Sequence, residues 1–286
     1  MKITGKTKLT GLLGRPVEHS VSPLMHNEAF QQLELDYRYL AFDVEEDNLE
    51  AAVYGLKSLG AIGWNVTMPY KQEICQYMDE LSMAAKLGQT VNTVVHRDGK
   101  LIGETTDGLG FIRSIEEVGV SIEGKKMTVL GAGGAALSVI VQAALDGADS
   151  ITIFNRKGTS FEKLKGMIPE IEKTTGCEMR LVEYDEEGLA RTIRNSDILV
   201  NATPVGMHPD VKNSPIHDIN VFHKELFVYD MIYNPEETTL IQQAKSAGCR
   251  TMNGLYMLLY QGAEAFKLWT GREMPVDIVK EKYFKR

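Results

Sequence analysis

Cysteine is scarce in this chain: Cys75, Cys177 and Cys249 are the only three in 286 residues. They lie far apart, form no C-x-x-C pair and have no paired histidines near them. That excludes a disulfide-built scaffold and any zinc site of recognisable spacing, so no metal is expected. Basic charge is short as well, with 31 Lys and Arg against 39 Asp and Glu for a net charge of −8. No global positive field draws such a chain to nucleic acid or anionic lipid. A run of about 18 apolar residues appears nowhere, and Met1 to Gly14 lacks the apolar core of a signal peptide. The expectations are reduced thiols, a cytoplasmic location, and neither nucleic acid nor membrane as partner.

Apolar residues make up 43% and charged residues 24%, the composition of a folded globular protein. The length exceeds the ~100–200 residues of a typical domain, which favours two domains or one large α/β unit. Leu9 to Gly14 reads as a buried strand, and Ser22-Pro23 as a helix N-cap with proline behind it, opening a helix to about Leu33. Tyr37 to Val44 is a second strand, Asp47 to Leu59 a capped helix and Gly63 to Met68 a third strand. Val91 to His96 and Lys100 to Gly103 flank Asp98-Gly99, a hairpin signal. A helix runs from Asp107 to about Val118. The alternation predicts an α/β chain with largely parallel sheets, with domains over 1–106 and 107–253 and C-terminal helices over 254–286 returning to the first.

The second unit opens with the strand Met127 to Leu130, the loop Gly131-Ala132-Gly133-Gly134-Ala135-Ala136, a helix to about Asp146 and the strand Ile151 to Phe154. Asp197 to Asn201 and Phe227 to Met231 are further strands. Gly131, Gly133 and Ala136 match G-x-G-x-x-[GA] between a strand and a helix, the context of a Rossmann-like dinucleotide site. The first glycine allows the tight turn, the second lets backbone N–H groups reach a pyrophosphate, and the helix N-terminus favours its charge. The next strand ends in Asn155-Arg156-Lys157, where an NAD-binding chain usually presents an acid to the ribose 2′-hydroxyl. Two cations suit a 2′-phosphate better, which leans to NADP with NAD possible.

Several polar segments of the first domain exceed what packing needs: H-S-x-S-P at His19 to Pro23, N-V-T-x-P-x-K at Asn65 to Lys71, Asn92-Thr93, and T-D-G at Thr106 to Gly108. With the glycine loop, Asn201-Ala202-Thr203-Pro204-Val205-Gly206-Met207 and Gly254 to Ala263, they resemble the shikimate dehydrogenase family over the whole chain. Ala84 to Leu87 and Leu268 to Gly271 are most similar to its quinate/shikimate dehydrogenase branch.

The resemblance implies reversible NADP-linked reduction of 3-dehydroshikimate to shikimate, in aromatic amino acid and chorismate biosynthesis, by a monomer or homodimer. Lys71 and Asp107 would be the catalytic pair. Ser20 and Ser22 would take the substrate carboxylate, with Tyr39, Thr67, Asn92, Tyr233 and Gln261 completing the pocket. Gly131 to Ala135, Asn155, Arg156, Lys157, Thr203, Val205, Met231, Gly254 and Met257 would hold the cofactor. Whether Lys71 receives the hydroxyl proton or stabilises the alkoxide stays open. So do three alternatives: quinate as substrate, perhaps with NAD; a silent dinucleotide-binding regulator; and a dehydrogenase of folate-type one-carbon units. Retention of Lys71 and Asp107 argues against the second, and the serine pair against the third.

Overall fold

A computed structural model describes residues 2–284. The chain divides into two compact units, Met1–Gly110 with Leu259–Arg286, and Phe111–Leu258. Each is built on its own six-stranded sheet.

The first unit holds β1 (Lys8–Gly14), α1 (Ser22–Gln32), β2 (Tyr37–Asp43), α2 (Leu49–Ser58), β3 (Gly63–Val66), β4 (Glu80–Leu81), α3 (Met83–Gly88), β5 (Thr93–Arg97) and β6 (Lys100–Glu104). Its sheet runs β2-β1-β3-β5-β6-β4; β1 is parallel to β2 and β3, while β5 is antiparallel to β3 and β6. Asp98 and Gly99 both adopt positive φ, at 52° and 77°. Two left-handed residues in succession match the right-handed twist of the hairpin strands they join. Leu13, Val53, Trp64, Tyr70 and Ile74 pack in its core.

Two helix starts differ from expectation. The N-cap of α1 is Val21, with Ser22 already helical, so the N-cap residue offers no side-chain bond and the Ser22 hydroxyl is not the cap. Asp47 lies in a 3-10 turn over Glu46–Asn48, and α2 begins at Leu49 without a side-chain cap. In the first case the serine hydroxyl is engaged elsewhere, as described below.

The chain enters the second unit through α4 (Asp107–Glu117). There follow β7 (Lys126–Leu130), α5 (Gly134–Leu145), β8 (Ser150–Asn155), α6 (Thr159–Thr175), β9 (Glu178–Glu183), α7 (Glu186–Ile193), β10 (Ile198–Asn201), β11 (Phe227–Asp230), α8 (Thr239–Ser246) and β12 (Arg250–Asn253). The sheet order is β12-β11-β10-β7-β8-β9, parallel throughout, a Rossmann-like doubly wound arrangement. Its order reverses between β7 and β10, so the loops leaving those strands flank the crevice where such sheets bind ligands.

The chain leaves the second unit within α9 (Leu255–Thr270) and ends with α10 (Val276–Tyr283). Trp269 Nε1 of α9 donates to the Val94 carbonyl at 3.0 Å, and Lys282 of α10 pairs with the buried Glu28 at 2.6 Å. The first contact fastens α9 to β5 of the sheet, and the second fastens α10 to α1. No helix among the described residues is long and apolar enough to cross a membrane.

Candidate active site

In the first unit Asn92, just before β5, gathers the polar side chains. Its Nδ2 donates to Asp107 Oδ1 at 2.8 Å, to Thr106 Oγ1 at 3.0 Å and, at 3.4 Å, to Gln261 Oε1 of α9. The Thr106 N–H returns a bond to Asn92 Oδ1 at 2.7 Å. Asp107 Oδ2 accepts from Lys71 Nζ at 2.6 Å. The Lys71 carbonyl accepts the Val91 N–H at 2.7 Å, which fixes this lysine's backbone to the segment leading into β5.

The network continues through Asn65 of β3, which donates to Thr93 Oγ1 at 2.9 Å and to the Asn92 carbonyl at 3.2 Å. Tyr39 OH donates to Asn65 Oδ1 at 2.8 Å and also bonds the Ser22 side chain, while the Ser22 N–H reaches Ser20 Oγ at 3.2 Å. One hydrogen-bonded path thus links Ser20 to Lys71. Thr67 lies just past β3, half-buried, its N–H bonded to the Leu13 carbonyl at 2.9 Å.

Most of these groups are withdrawn from water; Asn92 is 3% exposed and Asp107 7%, while the Lys71 side chain keeps 21%. Burial pushes the Tyr39 phenol above its ordinary range, against a smaller opposing effect of the Ser22 bond, so it stays a neutral donor. His26 stacks on that ring at 4.4 Å with 6° between planes. Neither of its nitrogens has a hydrogen-bond partner, and burial pulls its pKa down to about 3.

In the second unit a cavity of about 730 Å³ lies at the carboxyl ends of β7 to β10. Gly131 forms its floor with φ +102°, and a Cβ there would stand 3.0 Å from the Ala202 carbonyl oxygen. Only glycine fits that turn and that approach together. Gly131, Ala132, Gly133, Asn155, Arg156, Thr203 and Val205 line the cavity, and Gly134 and Ala135 continue from it as the first turn of α5.

The Thr203 loop is held from beneath. Asn201 Oδ1 accepts the Thr203 N–H at 3.1 Å and its hydroxyl at 2.6 Å. Asn201 Nδ2 donates in turn to Asp230 Oδ1 at 3.0 Å. Asp230 also accepts from the Ile232 N–H at 3.1 Å and the Thr238 hydroxyl at 2.6 Å. Burial still raises its carboxyl to about 6, because three hydrogen bonds do not fully replace water.

Comparison with known proteins accords with this geometry. Residues 12–94 match the profile of the shikimate dehydrogenase substrate binding domain, and 254–282 that of the shikimate 5′-dehydrogenase C-terminal domain. The chain is 47% identical over 284 residues to a Listeria monocytogenes shikimate dehydrogenase (NADP(+)), covering 99% of this chain and 98% of that one. The chain belongs to the shikimate dehydrogenase family. An Escherichia coli quinate/shikimate dehydrogenase is 44% identical, covering 98% of each chain. Listeria monocytogenes shikimate 5-dehydrogenase, solved in complex with shikimate and NAD, superposes with a TM-score of 0.95 at 47% identity, covering 98% of each chain.

The residues that this family resemblance singled out fall into three groups. Ser20, Ser22, Tyr39, Lys71, Asn92, Asp107 and Gln261 meet in the first unit's network, and seven cofactor positions line the second unit's cavity. Others lie apart. Lys157 Nζ bonds Glu183 at 2.6 Å and is not part of the cavity wall. Tyr233, 41% exposed, and Met231, Gly254 and Met257 also belong to the second unit but lie outside that wall. A Cβ on Gly254 would run into the Met231 carbonyl, which explains a glycine there. Sequence reading missed Asn65, Thr93 and Thr106 as network members, although each stands inside a motif already singled out. It also missed Tyr184 and the segment 212–217 of the cavity wall, whose composition gives no signal.

Proposed function

We propose that the chain is a shikimate dehydrogenase, interconverting shikimate and 3-dehydroshikimate with NADP and accepting NAD less well. The observation that carries this reading is the Lys71–Asp107 pair at 2.6 Å, fixed by Asn92 inside a network of hydroxyl and amide groups. Such groups match a substrate bearing three hydroxyls and a carboxylate. Ser20 and Ser22 supply hydroxyls for the carboxylate, and Tyr39, Thr67, Asn92 and Gln261 supply partners for the ring.

Lys71 has three N–H donors and gives one to Asp107, so two remain for the reacting hydroxyl. When that hydroxyl gives up its proton, Lys71 Nζ takes it while handing its own bridging proton to Asp107 Oδ2, so the carboxylate ends protonated, the lysine stays an ammonium, and its remaining N–H donors stabilise the oxyanion as it forms. Asn92 holds Asp107 Oδ1 and so keeps Oδ2 aimed at Lys71. The bound dinucleotide supplies the hydride acceptor. The glycine loop and the α5 N-terminus suit its pyrophosphate, and the turn at Gly131 leaves room for a close backbone approach.

Turnover of shikimate and quinate, each with NADP and NAD, tests the reading. Shikimate with NADP should give the highest kcat/KM, and no turnover in any of the four combinations would refute it. Quinate carries a hydroxyl at the carboxylate-bearing carbon and a saturated ring where shikimate has a double bond, a difference of pocket shape worth only ~1–3 kcal/mol of discrimination, so measurable quinate turnover is compatible.

A further inference from the structure

Among the residues lining the 730 Å³ cavity are Arg156, Lys212 and His217, and no Asp or Glu. In a chain of net charge −8 that composition marks a place for an anion. The cations are not equally available. Lys157, beside Arg156 in sequence, is committed to Glu183, and His217 Nδ1 lies 2.9 Å from Glu186. Lys212 forms no ion pair with any carboxylate among the described residues.

Lys212 sits on a strap, residues 211–217, that is tied down at both ends. The Thr239 hydroxyl donates to the Val211 carbonyl at 3.1 Å and Ser214 Oγ to Gln243 Oε1 at 2.6 Å, which fastens one end to α8. Tyr184 OH donates to the Pro215 carbonyl at 3.2 Å, which fastens the other to the end of β9. Since α8 follows β11, the strap runs from one side of the sheet's switch point to the other along the carboxyl edge. The loop is therefore held, and its lysine is presented to the cavity rather than left on a free tail.

We propose that Lys212 is the second cation for the 2′-phosphate of NADP, acting with Arg156 and taking the place that sequence reading gave to Lys157. This rests on reading the cavity as the dinucleotide site. The pyrophosphate already has the backbone N–H groups of the glycine loop and the N-terminus of α5, and needs no side-chain cation. The 2′-phosphate is a dianion that one guanidinium neutralises only in part. Arg156 offers a planar fork and Lys212 an adaptable point charge, a complementary pair for one phosphate.

Calorimetric titration of the whole protein with adenosine 2′,5′-bisphosphate and with ADP tests this without turnover. Lys212→Gln should weaken the bisphosphate ~10-fold and ADP less than about twofold, and Lys212→Arg should keep most of the affinity. Unchanged bisphosphate affinity in Lys212→Gln overturns the proposal, and so does equal weakening of both ligands, which would put Lys212 on the pyrophosphate. Arg156→Ala separates this failure from that of the underlying reading. If Arg156→Ala loses the preference for the bisphosphate while Lys212→Gln does not, only the role of Lys212 falls. If the parent protein binds both ligands alike and Arg156→Ala changes neither, the cavity is not the NADP site and both readings fall.

Discussion

The two units treat the charged groups of their candidate sites in opposite ways. In the first, Lys71, Asp107, Asn92, Asn65, Tyr39 and Ser22 bond mostly to one another, so the site's geometry is set before anything binds. In the second, Arg156 and Lys212 face a cavity whose wall holds no carboxylate to neutralise them. A multiply hydroxylated acid must be recognised by direction, which favours a saturated and rigid network. A phosphorylated cofactor is recognised largely by charge, which favours cations without protein partners. The same division predicts where substitutions act: in the first unit on turnover, in the second on which dinucleotide binds.

The largest effect should come from Lys71→Ala. Removing a proton-transfer or charge-stabilising group costs ~10²–10⁴-fold in kcat, and dinucleotide affinity, which the proposed function assigns to the other unit, should stay within about twofold. Stopped-flow rates combined with NADP titration check both halves. A variant that keeps a tenth of parental kcat, or loses NADP affinity as severely as turnover, breaks the division of labour.

The buried titratable groups sharpen the contrast through pH. His26, in the first unit, has its pKa lowered from 6.5 to about 3 by burial. The folded state therefore binds fewer protons than the unfolded chain, and stability is lost as pH falls below about 6.5, by ~3 kcal/mol on reaching pH 4. Asp230, in the second unit, has its pKa raised from 3.8 to about 6. Its folded state binds more protons, so its contribution is full below about pH 4 and is lost as pH rises to about 6, again ~3 kcal/mol. The melting temperature of His26→Phe should gain on the parent as pH falls from about 7 to 4. That of Asp230→Asn should gain on the parent as pH rises over the same range. Parallel curves for either variant and the parent would show that its group does not titrate as burial dictates.

A smaller effect is expected at Ser20 and Ser22. Replacing both with Ala should raise KM for shikimate ~10–100-fold, with kcat changed much less, as two bonds to a carboxylate are lost. Because Ser22 does not cap α1, the ~0.5–1.5 kcal/mol that Ser22→Ala should lose comes from its buried bond to Tyr39 and not from helix capping, so it should vanish in a Tyr39→Phe background. Thermal melts of Ser22→Ala in both backgrounds check that point.

Much of both units could be read from the chain. The strands around the glycine loop and the Asp98-Gly99 hairpin appear within a residue or two of their expected bounds, because turn chemistry at Gly131, Asp98 and Gly99 is local. Ser22 misled for the converse reason. A serine before proline is a cap signal, yet tertiary contact with Tyr39 draws its hydroxyl into the network. Strands β9 and β12 carried too many polar residues to stand out: Glu178, Arg180 and Glu183 in one, Arg250 and Asn253 in the other. The segment 211–217 resembles any polar loop, and only its anchors on Tyr184, Thr239 and Gln243 make it a wall.

The smallest effect is expected where sequence reading placed a second phosphate ligand. Lys157 is exposed and paired with Glu183, and an exposed pair contributes ~0.2–1 kcal/mol at most, further screened by salt. If the pair holds Lys157 away from the cofactor, Lys157→Ala should change the NADP-to-NAD ratio of kcat/KM by less than about threefold. Glu183→Gln should act in the opposite sense, because it frees Lys157 and removes a negative charge near the β8 end. The preference for NADP should then rise modestly, most clearly at low ionic strength, where a charge not in direct contact still acts over the ~30 Å screening length of ~0.01 M salt. A loss of NADP preference in Lys157→Ala as large as in Arg156→Ala would mean that the ion pair opens when NADP binds. The cation count at the phosphate would then have to be drawn from β8 alone.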